Sequence, residues 1–239
     1  MAGLEYPKID TLYVRDEKRF VIVGKLTRQE FGNIKRWSIT EKVHGINSRS
    51  TLYENGVVEH GGKTDDAKIL PELYDYMCKT FTPERMKAAF WIHPEDGGPI
   101  KIPKSATIYG EGYGPHMMPG SGKYREDVSF RLFDCLVETE SGKWWLERHN
   151  LEDVARKLGI KCVPILGIIE DLPKSSRDVD LLFSLFSRGL VSSIVAEEDC
   201  GKKDVTPEGV IAKCEPTLLN SKGYRVMWKL KLKDFKKEI

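Results

Sequence analysis

The segment Glu41-Lys42-Val43-His44-Gly45-Ile46-Asn47 sets a lysine at the expected end of a strand, ahead of a glycine whose bare backbone lets a ligand come close. A lysine in such a strand-turn stretch is usually an ordinary surface residue, so any chemistry must be argued from its companions. Four further segments combine charged residues with aromatic residues or glycine: Tyr109-Gly110-Glu111-Gly112, Phe130-Arg131-Leu132-Phe133-Asp134, Glu208-Gly209-Val210-Ile211-Ala212-Lys213 and Trp228-Lys229-Leu230-Lys231. The last continues as Leu-Lys, and this alternation of apolar residues with lysines has the period of a half-buried strand. On that period Lys229, Lys231 and Lys233 leave one face together, and three cations on one sheet face suit phosphate groups.

Three other motifs are incomplete. Gly110-Glu111-Gly112-Tyr113-Gly114 misplaces the third glycine of a dinucleotide-binding turn, and Pro115 follows where a helix should open. Gly120-Ser121-Gly122-Lys123 ends like a phosphate-binding loop, but Tyr124 replaces the hydroxyl residue that would hold magnesium and no glycine stands five positions before Gly122; it reads as a mobile loop. His44, His60, His93, His116 and His149 contain no pair at helical metal-ligand spacing, which argues against a hydrolytic zinc site.

The elements that must position these residues come in clumps. Tyr13 to Lys25 and Trp37 to Tyr53 read as strands, and Tyr53-Glu54-Asn55-Gly56-Val57-Val58 as a hairpin. Leu70 to Phe81 and Thr82 to Trp91 have helical spacing, the second with Thr82 as N-cap and Pro83 at the first helical position. A loop from His93 to Pro99 precedes a strand from Ala106 to Glu111, a Gly/Pro-rich loop from Gly112 to Gly122, and a strand from Phe130 to Val137. Helices over Leu151 to Leu158 and Asp178 to Leu190 flank a strand from Val163 to Ile169, and Glu208 to Cys214 and Tyr224 to Lys233 close the chain as strands. No repeat or interdomain linker stands out. Clumped strands and helices favour an α+β fold with antiparallel sheets over a doubly wound parallel sheet.

The 239 residues carry 38 Lys and Arg against 36 Asp and Glu, a net +2, with 40% hydrophobic residues: enough for a sizeable core, and neither disordered nor fibrous. Charge collects at the end, where Lys222, Arg225, Lys229, Lys231, Lys233, Lys236 and Lys237 face only Asp234 and Glu238. The longest strongly apolar stretch, Val163 to Ile169, is far short of the ~20 residues that span a bilayer, and the first residues lack an apolar signal core. Five cysteines, an odd number with no Cys-x-x-Cys pair, argue against a disulfide scaffold or a zinc ribbon. A cytoplasmic protein is expected, or one of the host cytoplasm if viral.

Taken in order, the five segments resemble the motifs of the covalent nucleotidyltransferases, which comprise ATP-dependent DNA ligases, RNA ligases and mRNA capping enzymes. The resemblance runs from Lys42 to Lys231. His44 with Asn47 is similar to the nick-sealing RNA ligases of phages and of trypanosome RNA editing, whereas DNA ligases and capping enzymes usually have Asp at the position of His44. The resemblance implies a single α+β adenylyltransferase domain over residues 1–239, made of mainly antiparallel sheets flanked by helices and lacking the usual appended C-terminal domain. It implies that Lys42 is the nucleophile forming lysyl-AMP, that Glu111 binds the ribose side, that Phe133 stacks on adenine and that Glu208 helps hold the metal. Lys213, Lys229 and Lys231 would hold phosphates, Asn47 would assist near the reacting phosphate, and Glu41 falls among the nucleotide-binding positions. Arg49 and Lys63 are further candidates for substrate phosphate contacts. A lysine amine with an ordinary pKa of about 10.4 is a poor nucleophile at neutral pH, and nearby cations would favour its free base. The implied function is an ATP-dependent RNA ligase that uses Mg²⁺, with Mn²⁺ as a possible substitute, and joins RNA ends or a nicked duplex as a monomer. A compact DNA ligase, a guanylyltransferase and a non-catalytic nucleic-acid-binding module are the alternatives.

Overall fold

In the computed structural model, which describes residues 5–91, 103–185 and 191–235, the chain forms β1 (Asp10–Thr11), β2 (Tyr13–Arg15), β3 (Val21–Leu26), β4 (Trp37–Lys42), β5 (Ile46–Tyr53), β6 (Val58–Gly62), α1 (Pro71–Thr80) and α2 (Pro83–Phe90). It continues through β7 (Ser105–Tyr113), β8 (Ser129–Thr139), β9 (Gly142–Trp145), α3 (Arg148–Leu158), β10 (Lys161–Cys162), β11 (Ile165–Ile169), α4 (Ser176–Ser184), α5 (Ile194–Cys200), β12 (Gly209–Cys214) and β13 (Met227–Lys231). The class is α+β, with antiparallel pairing except where β1 joins β13 and β10 joins β8.

These elements gather into two compact units. One takes the chain up to Tyr6 with Gly45–Cys162; the other takes Pro7–His44 and everything from Val163 onward. The first unit holds a sheet ordered β10-β8-β7-β5-β6, with β9 on β8. Leu52, Ile108, Phe130 and Leu132 leave one face of it and bury against Leu73 and Met77 of α1, Met86 of α2, and Leu151 and Leu158 of α3. Thr82 accepts the Arg85 N–H at 3.4 Å and so caps α2, whose first residue is Pro83. The second unit holds a sheet ordered β1-β13-β12-β4-β11 and the hairpin β2-β3. Trp37, Ile39, Val210, Ala212, Trp228 and Leu230 form its apolar face, joined by Val179, Leu182 and Phe183 of α4. Ser175 and Asp178 close a reciprocal capping box on α4. Among the described residues no helix is long and apolar enough to cross a membrane.

Several sequence expectations need correction. Tyr13 to Lys25 is a hairpin, because Asp16 pairs back with Phe20 through backbone and side chain and Arg19 turns with φ 68°. Trp37 to Tyr53 splits at Val43–Gly45 into β4 and β5, which belong to different sheets. The strand expected over Val163 to Ile169 begins two residues late, at Ile165, after Pro164. Lys233 does not extend β13 but sits in a tight turn over Leu232–Asp234, so only Lys229 and Lys231 share the strand face. The Gly120–Lys123 stretch is a pinned turn instead of a mobile loop: Ser121 is buried, donates to the Gly114 carbonyl at 2.6 Å and accepts the Met118 N–H at 2.9 Å. The expected loop from His93 to Pro99 and the helix beyond Leu185 lie outside the described residues, as do Lys236 and Lys237.

Candidate active site

In the second unit, β12 runs between β4 and β13, and Gly209 pairs with both Lys42 and Lys231. Glu208, one residue earlier, places its carboxylate between the two ammonium groups: Lys42 Nζ donates to Oε2 at 2.5 Å and Lys231 Nζ to Oε1 at 2.5 Å. His44 Nδ1 lies 3.4 Å from Oε2. Burial opposes ionisation of Glu208, but the Lys42 charge, hydrogen bonds from Lys231 and Lys42, and the Lys231 charge outweigh it and hold the carboxyl down to about 2. Gly209 has φ +156°, and a Cβ there would strike the Leu230 carbonyl oxygen, so any other residue would push β12 off β13 and spread the cluster.

Lys229 stands opposite Ile211 on the same face, one strand repeat from Lys231. Lys213 is opposite Ser38 and Met227, four residues beyond Gly209, or ~13 Å along β12 from the row that holds Lys42. The lysines named from sequence therefore form a graded row, with Lys231 beside Lys42 and Lys213 at the far end. Glu41 takes the other side of β4 with Trp37 and Ile39. It is 1% exposed, and its carboxylate accepts Ser193 O–H at 2.5 Å and Val195 N–H at 3.1 Å at the start of α5. That carboxylate is committed to α5. Ser193, which also caps Ala196 N–H, escaped the sequence reading, although a serine ahead of Ile-Val-Ala and a glycine at position 201 are start and stop signals.

In the first unit the side of the sheet away from the apolar core carries polar residues in cross-strand rows. Asn47, Glu111 and Arg131 pair across β5, β7 and β8, and Arg49, Tyr109 and Asp134 form the next row. Glu111 Oε1 accepts the Gly45 N–H at 3.1 Å, a close approach that a side chain at Gly45 would block, because its Cβ would meet the Gly112 carbonyl. Asn47 Oδ1 is buried with no hydrogen-bond partner among the described residues. Arg131 is 1% exposed and donates to the Tyr113 hydroxyl at 3.3 Å and the Cys162 carbonyl at 3.1 Å. Arg49 is committed to the Asp65 carboxylate and the Gly62 carbonyl. Lys63, half-buried, follows β6 directly.

Phe133 occupies a β-bulge. Tyr109 pairs with Asp134 and Gly110 with Leu132, leaving Phe133 as the extra residue of β8. A bulge re-aims the side chain it carries, which explains how Phe133 stays half-buried between a core leucine and a fully buried aspartate. Among the described residues no group of three or more His, Cys, Asp or Glu side chains is placed to hold a metal ion.

The sequence and the fold can now be set against known proteins. A family model described as RNA ligase matches residues 35–231, and the chain belongs to the RNA ligase family. A comparison with curated protein sequences finds no match. Among solved structures, Naegleria gruberi RNA ligase with PPi has a TM-score of 0.60 at 13% identity, covering 95% of this chain and 56% of that one. A lysine-to-alanine variant of that ligase with ATP and Mn scores 0.59 at 12% identity, covering 95% and 56%. An arginine-to-alanine variant with ATP and Mn scores 0.60 at 13% identity, covering 97% and 59%. The likeness is one of fold, the expected α+β nucleotidyltransferase fold, and this chain spans little more than half the length of the ligase it matches.

Proposed function

We propose that the protein is an ATP- and divalent-metal-dependent RNA ligase that works through a lysyl-AMP at Lys42. The observation that carries this reading is Lys42 held with Lys231 on the two oxygens of Glu208, within a chain of the RNA ligase family. The two units are read as parts of one adenylyltransferase domain. Lys42 Nζ, once deprotonated, attacks the α-phosphorus of ATP; the N–P bond forms, the P–O bond to pyrophosphate breaks, and the amine's remaining extra proton goes to solvent. A 5′-phosphate oxygen then takes the AMP from Lys42, and a 3′-hydroxyl attacks that activated phosphate and releases AMP. Lys231 and Lys229 are assigned to offset charge on the transferring phosphoryl group. Asn47, whose buried oxygen lacks a partner, has the unspent polarity a bound nucleotide would use. Glu111 is assigned to the ribose and Phe133 to stacking on the base. Lys63 and the far Lys213 are assigned to phosphates of the RNA.

The ionised Glu208 is a hard oxygen donor that, among the described residues, belongs to no cluster of metal-ligating side chains, which fits Mg²⁺ or Mn²⁺ bound mainly by phosphates and water. Such a metal would supply charge neutralisation for the departing pyrophosphate. The solved Naegleria ligase structures with ATP and Mn support the same choice of nucleotide and metal. Free thiols at all five cysteines suit a cytoplasmic setting, or a host cytoplasm for a viral protein, and the enzyme is taken to act as a monomer.

Intact mass after incubation with ATP and Mg²⁺ tests the reading. One AMP adduct is expected on the parent chain and none on Lys42→Ala; no adduct on either, with pyrophosphate removed, would overturn it. Sealing of nicked duplexes that is indifferent to a ribose at the 3′-hydroxyl side would overturn the preference for RNA.

A further inference from the structure

Tyr6 is 3% exposed although it stands near the start of the chain, and four kinds of contact in the first unit keep it there. Its backbone N–H donates to the Lys63 carbonyl at 3.3 Å, and Glu5 beside it accepts the Asp65 N–H at 3.0 Å. Its hydroxyl donates to Asp134 Oδ2 at 2.9 Å, a carboxylate that is otherwise wholly buried. Its ring meets Phe133 edge-on, with centroids 5.0 Å apart and planes at 65°. The ring also meets Tyr109 at 5.0 Å and Trp145 at 6.0 Å, which ties it to the sheet.

Phe133 is the extra residue of a bulge, so no cross-strand partner in the β7-β8 ladder sets the direction of its side chain. Tyr6 is a ring set against it and anchored elsewhere, at the hydroxyl, the backbone and two further rings. We propose that Tyr6 is a positioning residue for nucleotide binding: it holds the Phe133 ring at the angle at which a base stacks, while the Asp134 bond fixes Tyr6 itself. This rests on the reading of Phe133 as the stacking ring.

The experiment measures the rate of AMP-adduct formation on the full chain against ATP concentration, for Tyr6→Leu, Tyr6→Phe, Phe133→Leu and the double variant Tyr6→Leu/Phe133→Leu. Tyr6→Leu should raise the half-saturating ATP concentration about three- to tenfold, as expected for loss of an aromatic edge contact, with a maximal rate within about twofold of the parent. Tyr6→Phe, which keeps the ring but loses the Asp134 bond, should fall between the parent and Tyr6→Leu, and the double variant within about twofold of Phe133→Leu alone, because residues that act through one another do not add. Unchanged half-saturation in Tyr6→Leu, effects that multiply in the double variant, or Tyr6→Phe as impaired as Tyr6→Leu would each overturn the inference. If Tyr6→Leu does not fold, Tyr6→Met, which fills the space without a ring, carries the same test. Failure of the underlying reading is separately visible: Phe133→Leu would then leave the half-saturating ATP concentration unchanged, whatever Tyr6 does.

Discussion

Ser48, Arg49, Thr51, Thr107, Arg131 and Asp134 are all buried in the six-stranded sheet, whereas the five-stranded sheet covers its inner face with Trp37, Ile39, Val210, Trp228 and Leu230 and leaves the Lys42, Glu208 and Lys231 charges partly wet. In the first sheet most of these polar groups are fastened to one another or to backbone: Thr51 to Thr107 at 3.0 Å, Tyr6 to Asp134, Arg131 to the Cys162 carbonyl, Arg49 to Asp65 and the Gly62 carbonyl. In the second, Lys42, Lys231 and Glu208 side chains keep 16%, 22% and 9% of their surface exposed, so water remains at hand when ion pairs change. The contrast matches what the proposed roles would require. Groups that recognise a fixed shape gain from being buried and held, since a buried hydrogen-bonded network resists rearrangement. Groups that exchange partners during phosphoryl transfer would face a desolvation barrier at every exchange if they were equally deep.

The strongest way to break this contrast is at the wet cluster. Glu208→Gln leaves two lysines without their counter-charge, and adduct formation should fall by about 100-fold or more, measured by intact mass over time with ATP and Mg²⁺. The same variant tests the charge itself. Because the folded Glu208 carboxyl is held down to about 2 from its ordinary 4.5, its contribution to stability is complete above pH 4.5 and lost as pH falls toward 2. Thermal unfolding of the parent should therefore drop more steeply through that window than unfolding of Glu208→Gln; parallel slopes would show that the carboxylate is not held by its lysines.

At the dry sheet the expected signature is reversed. Arg49→Met strips a buried guanidinium from Asp65 and from the Gly62 carbonyl, and should cost about 1–3 kcal/mol in urea unfolding while the rate of adduct formation stays within about threefold of the parent. Unchanged stability with weakened use of RNA ends would instead return Arg49 to the substrate. The smallest effect is expected at Ser193→Ala, which removes the cap of α5 and one of the bonds to Glu41: about 1 kcal/mol by the same measurement, with Glu41 kept buried by the Val195 N–H.

Strand and helix types were readable wherever a local pattern ran long enough. The Thr82-Pro83 start of α2, the hairpin after Tyr53 and the alternation in Trp228–Lys231 all carry their own stereochemistry. Sheet membership was not readable, because nothing local at Val43–Gly45 announces that the strand before it pairs with β11 and β12 and the strand after it with β6 and β7. The same limit applies to the site. Lys42, Glu208 and Lys231 could be named from their segments, but the two-sided pairing of Gly209 that brings them together is long-range. Glu41 could be named but not its bond to Ser193, which lies 152 residues away. Tyr6 gave no local signal at all: a tyrosine before a proline is unremarkable until Phe133 and Asp134 are set beside it.

The interleaving of the two units gives the protein an order of birth. β4 has β11 and β12 as its neighbours, and both are translated after Cys162, whereas every strand of the six-stranded sheet is complete by then. As the chain leaves the ribosome, the sheet read here as the nucleotide-recognising one can close first, since domains fold as their residues become available. Lys42 sits on a strand that first gains β11, and its ion-pair partner Glu208, then Lys231, are made only later. An unfinished chain would thus hold a formed sheet while the Lys42–Glu208–Lys231 cluster is still incomplete, so that the cluster arrives only with β13.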